Sequence, residues 1–323
     1  VALPAGTTGV RLVTGEPQYV VSSQAEGSLN TLHVLADGRL TALHRWQGSS
    51  PFAGATADLD GDGARELYLG TGTDLELVTL SRQADGSHGL RTVYTPADTL
   101  ESAAHGLAAA DLDGDGRDEL IAGFAGWRAY DLRVLRGGAD GRLVAAARDK
   151  LGAVLGVATL RASDGSLRVV AKNVHETANL LVFPADRAQG EAEGLYVYTF
   201  AGERLERRHL ALPLPADLYQ HQPPGIGDAN GDGRDDIAIE YGQPGAVHTL
   251  LYLQTAAGEF TPVMLGHMKF LGFAQLDADP AHELIVDVWD ADEVPRVWVL
   301  GAGTDVLPPV PAAAPVSAAL VDP

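Results

Sequence analysis

Three nine-residue stretches restrict the possible folds of this chain more than any other feature: DLDGDGARE at 58–66, DLDGDGRDE at 111–119 and DANGDGRDD at 228–236. Each sets acids around two glycines at the same spacing, and each runs into a strand-like segment, "ELYLG", "ELIAG" or "DIAIEY". Side chains at positions 1, 3 and 5 of so tight a loop converge on its inside. Asp58, Asp60 and Asp62 therefore repel one another unless a cation lies between them. Gly61 and Gly63 permit the positive φ that wraps the backbone, the carbonyl of residue 64 can turn inward, and Glu66 at position 9 closes the shell. The second loop offers Asp111, Asp113, Asp115 and Glu119 in the same places, and the third Asp228, Asn230, Asp232 and Asp236. An oxygen-only, flexible cage of this size suits Ca²⁺ better than Mg²⁺, which demands six short octahedral contacts and keeps its waters.

The third loop comes near the helix-flanked EF-hand pattern, but position 12 is Ile239 and the acid, Glu240, arrives one place late. The segments on either side read as strands and not helices, so these are strand-loop-strand sites. A solvated acidic turn that binds nothing is the plain alternative; three copies with one internal spacing argue against it. The expected role of the ion is structural, a fastener between repeats.

The first acids of the three loops, 58, 111 and 228, lie one period and then two periods apart. The copy this implies between them is "LGVATLRASDGSLRVVA" at 155–171, which keeps the strand-turn-strand pattern and has lost the acids. A weaker fourth loop, "QLDADPAHE" at 275–283, keeps Asp277, Asp279 and Glu283. It has Gln275 at position 1 and Pro280 where glycine belongs, so a weak or empty site is expected there. After each loop come a strand, a variable connection, a third strand, an "ADG"-type hairpin and a fourth strand. Four short strands in roughly 50 residues, without an amphipathic helix, is the arithmetic of a β-propeller blade.

The D-x-D-G-D-G-x-x-E loop between two strands, preceded by small residues ("GATADLDGDG", "GLAAADLDGDG"), resembles the FG-GAP or VCBS repeat of integrin α-subunit propellers and of many bacterial surface and secreted proteins. That resemblance implies an all-β propeller with calcium loops. It does not imply one function, because such propellers serve as adhesins, lectins, accessory subunits and a few polysaccharide-degrading enzymes. Six blades of four antiparallel strands fit best, within a range of five to seven: 10–46, 52–96, 105–149, 152–210, 222–264 and 270 to about 308. Either residues 10–46 form a whole blade, or "VRLVTG" completes the last blade and closes the ring. One propeller domain over 1–308 and a Pro/Ala-rich tail over 309–323 follow from this reading.

Composition removes several classes of function. The chain has 323 residues, 46 % of them hydrophobic, enough for a sizeable core, and no cysteine, which excludes disulfides and thiolate chemistry. A net charge of −20 with only three lysines (Lys150, Lys172, Lys269) argues against nucleic acid. The four loops hold 16 of the 43 acidic residues, so the charge is local and a local cation is its natural partner. No apolar run reaches the roughly 18 residues of a membrane span. The start at "VALPAG" reads as a mature N-terminus after signal-peptide removal, from which a secreted, periplasmic or cell-surface location is expected.

In a propeller the calcium loops share a face with the third-to-fourth-strand hairpins. The opposite face is here the less repetitive one, and it gathers His105, Trp127, His175, Tyr219, His221 and Trp289, with Phe52 and Lys269 nearby. Trp127 and Trp289 can equally cover blade edges, and Phe52 is expected to pack between blades. The expected function is a calcium-stabilised binding module for a protein partner or a glycan. Nucleophile-elbow, P-loop and H-E-x-x-H signatures are missing. The alternatives are a polysaccharide lyase or hydrolase using Tyr219, His221 or His105 as acid and base, and a structural subunit of a cell-surface assembly.

Overall fold

The computed structural model describes residues 7–13, 18–24, 29–48, 50–71, 76–95, 104–124, 131–174, 194–210, 223–243, 246–266, 268–276, 278–289 and 295–300. These form six antiparallel sheets, each a meander in chain order. The first contains β1 (Thr7–Leu12), β2 (Tyr19–Gln24), β3 (Leu29–Ala36) and β4 (Arg39–Gln47). The second contains β5 (Ala53–Ala57), β6 (Glu66–Gly70), β7 (Leu77–Arg82) and β8 (His88–Tyr94). In the third are β9 (Ala104–Ala110), β10 (Glu119–Phe124), β11 (Asp131–Gly137) and β12 (Leu143–Lys150). The fourth holds β13 (Ala153–Arg161), β14 (Leu167–Val174), β15 (Gly194–Ala201) and β16 (Arg204–Leu210). The fifth holds β17 (Gly225–Gly227), β18 (Asp236–Gln243), β19 (Ala246–Gln254) and β20 (Phe260–Met264). Three strands make the last: β21 (Lys269–Ala274), β22 (Glu283–Trp289) and β23 (Pro295–Leu300). Val10, Arg11 and Leu12 of "VRLVTG" therefore belong to the first sheet, where β1 pairs with β2, and do not complete the last one. Residues 301–308 and the tail lie outside the described residues.

The sheets are arranged radially. First strands β5, β9, β13, β17 and β21 pack each on the next, and outer strands β4, β8, β12 and β16 do the same at the rim. This is why the inner strands read as apolar runs and not as alternating ones: β6 and β10 are covered on both faces by neighbouring sheets. Rim strands such as β4 and β16 are largely exposed. The core is correspondingly divided into layers between sheets. Leu67 and Leu69 meet Val21 and Leu32 across the first junction. Ile121 and Leu132 meet Val154 and Val157 across the third, and Ile237 and Tyr252 meet Val170 and Leu195 across the fourth.

Crowding near the axis dictates the small residues in the strands on either side of the loops. A Cβ on Gly70 would lie 2.7 Å from the Ala104 carbonyl, and one on Gly106 would lie 2.9 Å from the Val157 amide, so neither position tolerates a side chain without movement. At the rim, Asp37 and Gly38 both take positive φ, 50° and 70°, in a two-residue hairpin.

Candidate metal loops and the opposite face

Each acidic loop joins the first and second strands of its sheet, and all three share one hydrogen-bond framework. The position-1 carboxylate caps the turn. Asp58 accepts from Gly61, Asp62 and Gly63 at 2.8, 3.2 and 2.9 Å. Asp111 accepts from Gly114, Asp115 and Gly116 at 2.7, 3.1 and 3.0 Å. Asp228 accepts from Asp232 and Gly233 at 3.0 and 2.7 Å. Position 3 then accepts from the amide of position 5, and position 5 from that of position 7, in every copy. The glycines at positions 4 and 6 have φ between 73° and 87° in all three loops, a region that admits side chains only under strain.

The result is convergence of like charge. Asp58, Asp60 and Asp62 each offer an oxygen within 4.8 Å of the others, and so do Asp111, Asp113 and Asp115. Asn230 supplies a neutral oxygen at the matching place of the third loop. The donor set is oxygen only, as a hard cation requires.

The position-9 acids behave differently from one another. Glu119 accepts from the Leu112 amide at 2.9 Å and from Arg136 Nε at 2.8 Å. Asp236 accepts from the amides of Ala229 and Gln254 at 2.9 and 2.7 Å. Both carboxylates are buried and brace the loop against its own sheet. Burial raises the pKa of each, in Asp236 to about 7, against the lowering effect of those bonds. Glu66 is raised chiefly by burial, with the charges of Asp60, Asp62 and Asp58 adding to it. Arg136 Nη2 also meets Asp113, and Arg234 Nη2 meets Asp232. Arginine thus compensates charge in the second and third loops.

In the fourth loop, Glu283 repeats the brace by accepting from Leu276 at 2.7 Å, and Asp279 accepts from Ala281 at 2.8 Å. Gln275, however, donates to the Asp279 carbonyl in place of capping the turn. Asp277 lies outside the described residues.

Position 8, treated as a spacer by spacing alone, forms a latch between neighbouring sheets. Asp118 donates its amide to the Asp58 carbonyl at 2.8 Å, and its carboxylate accepts from the Asp58 amide at 2.8 Å and pairs with Arg65 at 2.9 Å. His282 repeats this on Asp228: its amide donates to the Asp228 carbonyl at 2.6 Å and its Nδ1 accepts from the Asp228 amide at 2.8 Å. Asp235 accepts from the amide of Arg161 at 2.6 Å in the same way. A side-chain acceptor recurs at this place in the second, third and fourth loops, whereas the first has Arg65 there.

On the opposite face, Phe52 is 37 % exposed and stacks on His105 of the next sheet with centroids 4.3 Å apart and planes 13° apart. It therefore covers a junction without being enclosed in it. His105 lies within β9, not in the preceding loop as its sequence context suggested, because β9 begins at Ala104. Trp127, His175, Tyr219 and His221 lie outside the described residues, and Trp289 is placed only as the last residue of β22.

Sequence reasoning passed over two buried titratable residues, Lys172 and Glu240. Lys172 of β14 is fully buried and donates to the Glu240 carbonyl of β18 at 3.3 Å. Burial pulls Lys172 down to about 8 and raises Glu240, with the charges of Lys269 and Lys172 opposing the latter shift.

Residues 58–122, which contain the first two loops, match the family model of the FG-GAP-like repeat. No curated protein sequence matches the chain. Two propeller-type solved structures are similar over most of its length. A protein from Lactobacillus plantarum has a TM-score of 0.56 at 14 % identity, covering 89 % of this chain and 79 % of that one. The periplasmic gluconolactonase of Pseudomonas aeruginosa has a TM-score of 0.51 at 15 % identity, covering 91 % and 85 %. At such identities the likeness concerns the fold.

Proposed function

We propose that this propeller, with its FG-GAP-like repeat, is a calcium-stabilised, extracytoplasmic binding module that recognises a protein or glycan surface through the face opposite its acidic loops. The observation that carries the reading is the shared framework of the three loops. Each fixes a carboxylate by backbone amides, and the first two gather three carboxylates at a spacing that is repulsive until a cation arrives. Asp58, Asp60, Asp62 and Glu66 would hold one ion, Asp111, Asp113 and Asp115 a second, and Asp228, Asn230 and Asp232 a third, with Glu119 and Asp236 bracing the loops. Bound ions would supply positive charge that holds each loop against the neighbouring sheet.

The half-exposed Phe52–His105 stack is the kind of flat aromatic surface on which sugars and protein side chains settle. The test is a glycan and polysaccharide array probed with calcium-loaded protein, scored for retention and for chain shortening, beside a Phe52→Ala variant. Retention lost in that variant supports the reading. Chain shortening would replace it with a lyase or hydrolase, and a blank array from folded protein would direct the search to protein partners.

A further inference from the structure

The fourth sheet breaks the charge pattern of the repeat. Register places Leu160 opposite Arg168 where other sheets set Ala57 opposite Glu66, Ala110 opposite Glu119 and Gly227 opposite Asp236. Arg161 and Arg168 thus occupy the places of the position-1 and position-9 acids. Beside them, on the acidic-loop side of the junction between the fourth and fifth sheets, lies a cleft of about 450 Å³. That volume suits a small ligand.

Its lining is organised. Gln254, only 2 % exposed, spends its amide nitrogen on the carbonyls of Asp235 and Arg161 at 2.7 and 3.2 Å. Those two acceptors fix the amide orientation and leave Oε1 of this lining residue with no protein donor among the described residues. Arg208 lies over the Phe260 ring, 5.5 Å from its centroid, and bonds through Nη1 alone to Gly258 and Glu259. Arg168 bonds through Nη2 alone to Asp164 at 3.0 Å. Both guanidinium groups therefore keep donors for a ligand, and their own ion pairs are solvent-facing and readily exchanged.

The other junctions show that this arrangement belongs to one place. Between the third and fourth sheets the corresponding space is filled by Phe200, with Arg136 over its ring at 5.2 Å. Between the second and third a cleft of about 590 Å³ keeps the acids Asp60 and Glu66 in its wall.

We infer that the cleft between the fourth and fifth sheets binds a carboxylated sugar. Arg168 and Arg208 hold the carboxylate, Gln254 Oε1 and the Glu206 carboxylate accept from hydroxyls, and Phe260 presents an apolar ring to the sugar face. Three acceptors in the wall, Gln254, Asp164 and Glu206, favour a hydroxyl-bearing anion over an acidic peptide, which would bring mostly further acceptors. The site is separate from the Phe52–His105 face.

The full chain is titrated by calorimetry with oligomers of D-glucuronate, with the matching glucose oligomers and with poly-L-glutamate. The same titrations are run on Arg168→Gln/Arg208→Gln, on Arg91→Gln in the sister cleft and on Phe52→Ala. The expected result is saturable binding of glucuronate that weakens with rising salt, falls at least about tenfold in the double variant and persists in the other two. Melting curves confirm that each variant is folded. Absence of glucuronate binding by folded protein, equal binding of the neutral oligomer, stronger binding of poly-glutamate, or unchanged affinity in the double variant would each overturn the assignment. Loss in Phe52→Ala alone would assign the glycan to the opposite face and also overturn it.

Discussion

Replacing Asp118 by alanine separates what the loop framework contributes unaided from what a cation adds. The Asp118 carboxylate is 10 % exposed, accepts from the Asp58 amide at 2.8 Å and pairs with Arg65 Nη1 at 2.9 Å. A hydrogen bond to a charged group contributes about 1.5–3 kcal/mol, and a partly exposed ion pair such as Arg65–Asp118 about 0–1 kcal/mol. The combined loss is on the order of 2.5 kcal/mol. The bond from the Asp118 amide to the Asp58 carbonyl survives the substitution. At about 2.1 cal/mol/K per residue, 323 residues have an unfolding entropy of about 0.7 kcal/mol/K, so the melting temperature should fall by about 4 °C. Asp118→Asn keeps an acceptor for the Asp58 amide and loses only the charge, which predicts a fall of about 1 °C. Calorimetric melts with calcium and with a chelator test this, and both decrements should be the same in the two conditions. A fall under about 1 °C in the alanine variant, or one confined to calcium-loaded protein, would refute the latch.

Other substitutions address the cation and the buried charges. Asp113→Ala should lower the melting temperature more with calcium than with a chelator, since its bonds to the Asp115 amide and Arg136 are lost in both; equal shifts with and without calcium would show that no ion is held there. Arg136→Gln should tighten calcium binding at the second loop by releasing Asp113 and Glu119, and unchanged affinity in a calcium titration would show that the guanidinium does not compete. Burial raises Glu240 above its ordinary value of 4.5, so the folded chain keeps that proton after the unfolded chain has released it. The linked stability is full below pH 4.5 and is lost as pH rises through the folded value. Glu240→Gln should therefore gain in melting temperature relative to the parent between pH 4.5 and neutrality, and a flat or falling difference would refute the shift.

Much of the fold was legible because a repeat restates its own rules. The loop spacing, the small residues before it and the hairpin after it all recur, and the described residues form antiparallel sheets of four strands as that pattern implied, except for three strands in the last. The converging carboxylates at positions 1, 3 and 5 were legible for the same reason. Contacts set by the relation between sheets were not legible. Nothing local in Asp118 or His282 says that its partner is the backbone of the preceding loop, 60 or 54 residues away. The position-9 acids were read as closing the cage, whereas Glu119 and Asp236 spend their oxygens on amides and arginine that only the folded register brings within reach. His105 was read as a loop residue because the small residues around it carry no strand propensity of their own; the close approach of neighbouring first strands puts it in one.

One position in the strand after the loop shows how departures from the repeat group together. Four residues beyond the position-9 place, the second and third sheets carry Gly70 and Gly123, against which the next sheet packs so closely that a Cβ would meet it at 2.7 and 2.6 Å. Register gives the same place to Lys172 in the fourth sheet, opposite Gly156 as Gly123 is opposite Gly106. A long, buried cation is thus inserted where the second and third sheets carry glycine, and the fifth and sixth sheets carry the acids Glu240 and Asp287 at the same count. At the same junction the facing first strand, β17, has only three residues, and the acids of the loop have become Arg161 and Arg168. Close packing, strand length and loop charge all depart from the pattern at one seam, and a cleft opens beside it. A larger cleft at the junction of the second and third sheets keeps the acids Asp60 and Glu66 in its wall, so what separates the two clefts is the charge of the loop that borders each and not the presence of a cleft.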